Sequence, residues 1–219
     1  MMPENNFRVR VSGALACFSR PEFSTERVSY EIITPSAARG ILEAILWKPA
    51  IRWEVRRVSV LKPVKWMEFR RNEVNSRVPT RDAGASARTE EPLRDFYAAD
   101  DRAQRNTVAL REVDYLIEAE MHLTRHAGDS ENLTKFREMF LRRIEKGQQH
   151  YQPYLGCREF PAQVELASQE MQPIPESRDL GWMLHDLDFG AEIQARFFPA
   201  SMIAGVVEIP AWSMQGGGA

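Results

Sequence analysis

The sequence predicts an α+β fold: an antiparallel sheet carrying two helices, interrupted by a long irregular insertion and followed by a small C-terminal antiparallel sheet. Three observations predict it. Runs with the period-two spacing of strands are interleaved with two runs of helical spacing, in the order strand, helix, strand, strand, strand, helix. Between residues 75 and 106 the apolar signal nearly vanishes, and beyond residue 150 it returns as short strand-like runs punctuated by prolines.

The first strand spans Phe7 to Phe18, where Phe7, Val9 and Val11 alternate with Arg8, Arg10 and Ser12. An entry strand from residue 27 leads to the helix around which the chain is organised, in the run RVSYEIITPSAARGILEAILWKPAIRW at 27–53. Thr34 is its N-cap and Pro35 its first residue, where no N–H is needed. Ala37, Ile41 and Ile45, with Ala38 and Leu42 beside them, form one apolar stripe, and Arg39 and Glu43 point away from it. Pro49 stops the helix, because the residue before a proline is pushed out of the α region.

Ile51 to Leu61 and Val64 to Val74 are the next two strands, joined at Lys62-Pro63, with a change of phase at Arg56-Arg57 that predicts a bulge. Residues 75–106 are rich in Pro, Gly, Arg, Asp and Ser, so they are either a functional insertion or a solvated loop. Val108 to Leu123 returns to strand spacing. Ser130 caps a second helix on which Leu133, Phe136, Phe140 and Ile144 recur, and Gly147 ends it. Leu155 to Leu166, Leu180 to Phe189 and Ala195 to Ile209 are further strands, broken by Pro161, Pro173, Pro175 and Pro199.

This order fits a β-α-β-β-α-β ferredoxin-like unit over residues 1–150, an architecture shared with RNA-recognition domains. Residues 151–212 then form the small sheet, and 213–219, ending in GGGA, are a disordered tail.

At 219 residues and 43% hydrophobic content, the chain is long enough to bury one sizeable core. No run of about 18 apolar residues occurs, and MMPENNFRVRV lacks the apolar stretch of a signal peptide, so a cytoplasmic protein with no membrane partner is expected. Cys17 and Cys157 have no metal-binding spacing and read as two free thiols. The net charge is −2, but residues 48–94 hold twelve basic and six acidic side chains, leaving 17 basic and 25 acidic elsewhere. That asymmetry predicts a positive region suited to phosphates on an otherwise acidic protein.

No phosphate-cradling GxxxxGK[ST] or GxGxxG is present, which argues against an ATPase or a dinucleotide enzyme, and no cofactor is expected. The acidic pair Asp186 and Asp188 alternates along a strand and, with His185, presents metal-type ligands. With no further ligand evident to complete a site, they read as a solvated strand edge, and no metal is expected. Arg27, Arg39, Lys48, Arg70 and Arg71 flank the first helix and the following hairpin, with Tyr30, Trp47, Trp53 and Trp66 among them. Cations neutralise phosphates and aromatic faces accept splayed bases, so these are candidate RNA contacts. Trp53, on the apolar side of its strand, reads as core. Tyr30 and the Arg70-Arg71 pair are the strongest candidates.

The run ERVSYEIITPSAARGILEAILWKPAIRW, with RRNEV at 70–74, LGCREFPA at 155–162 and RDLGWMLHDLDF at 178–189, closely resembles the fifth CRISPR-associated (Cas five) family of type I-C systems. The resemblance covers nearly the whole chain, four segments in the same order. It implies a ferredoxin-like domain of the repeat-associated RNA-binding superfamily, with residues 75–106 as a thumb. It implies a subunit of a surveillance (Cascade) complex that caps the 5′ handle of the guide RNA (crRNA). The implied partners are the backbone subunit, the large subunit, a small subunit and, through the complex, target DNA near its PAM-proximal end. On this resemblance the RNA-binding set is Arg27, Tyr30, Arg39, Trp47, Lys48, Arg70, Arg71, Asn72 and Arg77.

The resemblance also implies metal-independent cleavage of precursor crRNA by attack of a 2′-hydroxyl on the adjacent phosphate. Such chemistry needs a proton acceptor, a proton donor and a cation. Family members place Tyr or His directly before the WKP motif and a Lys-His pair early in the second helix. Leu46 and Phe136 stand at those positions here, leaving Lys135 as the one group able to stabilise charge, with His122, His126, His150 and Tyr151 as relocated alternatives. Binding without cleavage, cleavage by a rearranged site, and general single-strand RNA binding remain three readings. The last lacks the aromatic sheet motif of RNA-recognition domains.

Overall fold

The structure, a computed structural model, describes residues 5–23, 25–76, 97–168, 170–189 and 192–211. In chain order the elements are β1 (Asn6–Ala16), β2 (Arg27–Val28), α1 (Pro35–Ile45), β3 (Ile51–Val60), β4 (Trp66–Val74), β5 (Arg102–Leu123), α2 (Leu133–Glu145), β6 (Gln163–Leu166), β7 (Arg178–Phe189), β8 (Ile193–Met202) and β9 (Val206–Glu208). The fold is mixed α/β and mostly antiparallel sheet, with two helices among the described residues.

The sheet is built on β5. Its C-terminal half lies between β1 and β3, giving the strand order β6-β1-β5-β3-β9, while its N-terminal half pairs antiparallel with β4 and parallel with β2. Glu112, with φ of 55°, is where the strand passes from β4 to its later partners. The expected bulge in β3 is present, as a register shift between Val55 and Arg57.

Thr34 caps α1 as expected, its hydroxyl accepting from the Ala37 N–H at 3.3 Å, with Pro35 opening the helix. α2 is capped by Asn132, not by Ser130. The Asn132 side-chain oxygen accepts from the Lys135 N–H at 2.8 Å, three residues on, a position Ser130 cannot reach. Gly147 follows α2 at φ 63°, the left-handed stop its sequence position suggests. Phe140 of α2 packs against Trp53 of β3 and Phe7 of β1, with ring centroids 4.6 and 5.1 Å away. Trp53 is core, as its strand position predicts, and its indole N–H donates to the Leu46 carbonyl at 3.0 Å.

Several segments depart from the sequence expectation. The entry strand is two residues long, because after Val28 the chain turns inward to bury Tyr30, Ile32 and Ile33. β5 begins at Arg102, six residues before the predicted Val108. Residues 102–106 pair with 70–74 of β4, so their polar alternation belongs to a two-stranded extension exposed on one face and half-buried on the other. Residues 155–162 are loop, and only Gln163–Leu166 is strand. Pro199 does not break β8. The strand has β7 as its ladder partner, so the edge away from β7 tolerates the missing N–H.

Within 151–212, β7 and β8 form the small antiparallel sheet, whereas β6 and β9 return to β1 and β3 of the large one. Residues 77–96 of the insertion and the tail 213–219 lie outside the described residues.

Candidate nucleic-acid interface

The first concentration of charge lies where β2, β4 and β5 meet. Cross-strand pairing places Arg71 opposite Arg105 and Arg70 opposite Asn106, so alternate residues face opposite sides of the hairpin. On one side, Arg27, Arg71 and Arg105 surround the carboxylates of Glu73 and Glu159. Arg27 reaches Glu159 at 2.7 Å and Glu73 at 3.3 Å, Arg71 reaches Glu159 at 2.5 Å, and Arg105 lies 3.9 Å from Glu73. The Arg71 guanidinium also lies 5.1 Å from the centroid of the Phe69 ring. Three cations against two anions leave the side net positive. Burial pulls the Glu159 pKa up, but its own backbone N–H, Arg71 and Arg27 together outweigh that and hold the carboxyl below its ordinary value.

On the other side, Arg70 is exposed, its Nε donating to Asn106 Oδ1 at 3.2 Å, and Asn72 is exposed beside it in the strand. Arg70 and Asn106 border an open groove of about 560 Å³ shared with Glu26, Glu68, Phe69 and Thr107. The Arg70-Arg71 pair therefore does not act as one unit: Arg71 is held by Glu159, while Arg70 is open to solvent. With RNA on this side, replacing Glu159 by Gln is expected to release Arg27 and Arg71, strengthening RNA binding and steepening its salt dependence in a fluorescence titration.

The second concentration lies along α1. Arg39, expected to point into solvent, instead crosses to β7. Its Nε and Nη2 donate to the Asp186 carboxylate at 2.8 and 2.9 Å, and its Nη1 donates to Glu43 at 2.6 Å. This bidentate clamp ties the small sheet to the helix, and it explains Asp186 better than metal binding does. Asp188 is likewise taken by Arg196 at 2.6 Å, and the His185 Nε2 lies 2.9 Å from the Pro210 carbonyl oxygen. Asp186→Asn should lower stability by about 1–3 kcal/mol, read by urea unfolding, because a charge-assisted pair is lost.

Tyr30 is fully buried, with the Arg20 guanidinium 4.6 Å from its ring centroid. It offers no face to a base, and the assignment of Tyr30 as an RNA contact is corrected accordingly. Ile32 and Ile33 of the run YEII are equally buried, which its isolated aromatic character in sequence conceals. Trp47 is 57% exposed and Lys48 is exposed, just beyond the helix. Arg77 lies outside the described residues.

Leu46 and Phe136 are both core residues, and Lys135 is a surface residue at the start of α2. Near the C-terminal end of α1 the chain instead brings in His150, whose backbone N–H donates to the Ala44 carbonyl at 2.8 Å. His150 and Tyr151 are exposed, with ring centroids 5.9 Å apart, and Tyr154 lies 6.5 Å beyond Tyr151. Partial burial, then Tyr154 and Glu43, raise the Tyr151 pKa above its ordinary value against the opposing pull of Arg39 and Arg158.

His122 and His126 stand apart from this group. His122 lies within 3.4 Å of Glu54 and 3.0 Å of Glu120, and the ligand-type atoms of the three fall within 4.8 Å of one another. Arg56 already bonds both carboxylates, at 2.7 and 2.9 Å, so this is a charge-paired network on the sheet.

The profile of a family described as Cas_Cas5d, CRISPR-associated protein (Cas_Cas5), matches residues 7–210. The chain is 46% identical over 217 residues to the CRISPR pre-crRNA endoribonuclease Cas5d of Mannheimia succiniciproducens, covering 94% of this chain and 95% of that one. It is 43% identical over 227 residues to the protein of the same name from Thermus thermophilus, covering 95% and 93%. A solved structure described as a CRISPR-associated protein superposes with a TM-score of 0.69 at 25% identity, over 94% of this chain and 92% of that one. The fold is thus that of a CRISPR-associated protein. The chain belongs to the Cas5 family, in the branch of the Cas5d profile.

Proposed function

We propose that this chain binds and caps the 5′ handle of crRNA as a subunit of a type I-C surveillance complex, and that its cations grip the RNA backbone. The observation that carries the reading is the convergence of Arg27, Arg71 and Arg105 from three strands, with Arg70 on the reverse side of the same hairpin. Phosphates would exchange with Glu73 and Glu159 as partners of these guanidiniums, which suits a site that must stay soluble when empty. A ferredoxin-like unit is the architectural part of the proposal, supported by the strand order β6-β1-β5-β3, in which the fourth, first, third and second core strands lie side by side. Residues 75–106 would act as a thumb, since β4 and β5 lead out to them as a hairpin.

In such a complex, base pairing reads the target while protein subunits hold backbone and shape. The proposed partners are the backbone, large and small subunits and the PAM-proximal target DNA, with the cytoplasm as the setting. No helix among the described residues is long and apolar enough to cross a membrane. The test is a titration of purified chain with a labelled repeat-derived handle and a shuffled RNA of equal length. Preference for the handle of at least tenfold is expected. Equal affinities would instead favour a general single-strand RNA module.

A second reading, precursor cleavage, is favoured by the curated relatives' stated activity and by the placement of His150 and Tyr151 near the end of α1. In it the His150 imidazole takes the proton of the attacking 2′-hydroxyl, and the leaving 5′-oxygen gains a proton from Tyr151 or water. The products are a cyclic phosphate and a 5′-hydroxyl, with no metal needed. In EDTA, His150→Ala should lower single-turnover cleavage of a repeat RNA by about 10²-fold or more if the imidazole is the general base. Equal rates would remove His150 from the chemistry, and intact RNA at saturating wild-type protein would remove cleavage itself.

A further inference from the structure

Cys17, just past β1, and Cys157, in the loop before β6, are 140 positions apart in sequence and adjacent in space. The backbone makes them so. The Cys17 N–H donates to the Leu155 carbonyl at 3.0 Å. Gly156 sits at φ 84°, where a Cβ would fall 2.1 Å from the Cys17 carbonyl oxygen, so only glycine lets the loop approach this closely. The Cys157 thiol then donates to the Cys17 carbonyl at 3.5 Å, which sets the two cysteines side by side.

Their surroundings differ. Cys17 is buried, with its sulfur 3.7 Å from the Ser19 hydroxyl, whereas Cys157 is part-exposed, with its sulfur 3.9 Å from Arg27 Nη1. The neighbouring Cys17 lowers the Cys157 pKa below its ordinary value against the effects of burial and Glu159, and Arg27 and Ser19 act in the same lowering direction. A part-exposed thiol beside a guanidinium, with a second cysteine in contact, has the arrangement of a peroxide-sensitive pair.

We propose that Cys17 and Cys157 are an oxidisable dithiol, with Cys157 the sulfur that reacts first and Cys17 the one that resolves it. The Cys157 thiolate attacks one oxygen of hydrogen peroxide, the O–O bond breaks, and the departing hydroxide takes a proton to leave as water. The Cys17 sulfur then attacks the Cys157 sulfenic sulfur. The S–O bond breaks, and the hydroxide released takes the Cys17 proton as a second water. Two thiols have lost two electrons, peroxide has gained them, and the disulfide ties the end of β1 to the loop carrying Glu159. Since Glu159 is the counter-ion of Arg27 and Arg71, the linkage would fix that loop against the arginine cluster. The thiol chemistry itself does not depend on which RNA the chain binds.

The test uses the full chain, reduced, freed of reductant and treated with stoichiometric hydrogen peroxide, then quenched with N-ethylmaleimide, digested and analysed by mass spectrometry. A Cys17–Cys157 linked peptide that disappears with dithiothreitol is expected, formed at least tenfold more in native protein than in protein held in urea. Cys17→Ser should leave Cys157 as a sulfenic acid that dimedone traps. The native-versus-urea comparison keeps the test decisive should that variant fold poorly. Both thiols still accepting N-ethylmaleimide after peroxide, linkage only between separate chains, or equal yields with and without urea would overturn the proposal.

Discussion

Replacing Phe140 by Ala should cost about 3–5 kcal/mol of stability, measured as a fall in the urea midpoint with an unchanged slope. Phe140 is fully buried on α2 and meets Phe7 and Trp53, so its removal opens a cavity against two aromatic rings contributed by β1 and β3. The surrounding strands are fixed by their ladders to β5, which limits collapse into that cavity. Truncation at Ile41, buried on α1, should cost about 2–5 kcal/mol for the same reason. Neither side chain reaches the surface, so the fraction of either variant that remains folded should bind RNA as the wild type does. A stable Phe140→Ala protein with impaired RNA binding would contradict the placement of α2 as core.

Arg70→Ala and Arg71→Ala should separate in RNA binding, because the two guanidiniums leave β4 on opposite sides. Each direct phosphate contact to single-stranded RNA contributes about 0.7 to the slope of log affinity against log salt. At 0.15 M salt that is roughly a fourfold change in affinity for each contact removed, and about 15-fold for two. Losing the arginine on the RNA's side should therefore flatten the slope by about 0.7, and only RNA that touches both sides would give about 1.4 for the double variant. If RNA lies on the Glu159 side, Arg71→Ala carries most of the loss and Glu159→Gln gains affinity. If it lies along the groove bordered by Asn106, Arg70→Ala carries it and Glu159→Gln is neutral. An unchanged slope in the double variant would remove the whole hairpin from the interface.

Much of the fold is legible in the sequence because the relevant signals are local. Thr34 and Pro35 announce the start of α1, the phase change at Arg56-Arg57 announces the bulge, and Gly147 announces the end of α2. What eludes the sequence is decided by partners far along the chain. Tyr30 looks like an exposed aromatic among cations, yet its backbone N–H is drawn to the Phe18 carbonyl at 2.8 Å and its ring is buried. Arg39 occupies the polar side of an amphipathic helix, and nothing near it reveals that Asp186, 147 positions later, will accept it.

The candidate site shows the same division. Local excess of basic residues marks the β3–β4 region correctly as charged, but it contains neither Arg105, in the strand opposite, nor Glu159, which neutralises two of the arginines. The thiol pair is invisible to spacing rules for the same reason. Cys17 and Cys157 meet through Gly156, whose left-handed backbone no pattern of neighbours predicts.

The account stands most directly on a cross-linking map. Handle RNA carrying photoreactive uridines, irradiated with the intact chain and digested, should leave nucleotide adducts on peptides containing Arg27, on the β4 and β5 peptides around Arg70, Arg71 and Arg105, and on the Trp47-Lys48 peptide. Adducts confined to the β7–β8 ribbon or to α2, with the arginine hairpin unmodified, would contradict it.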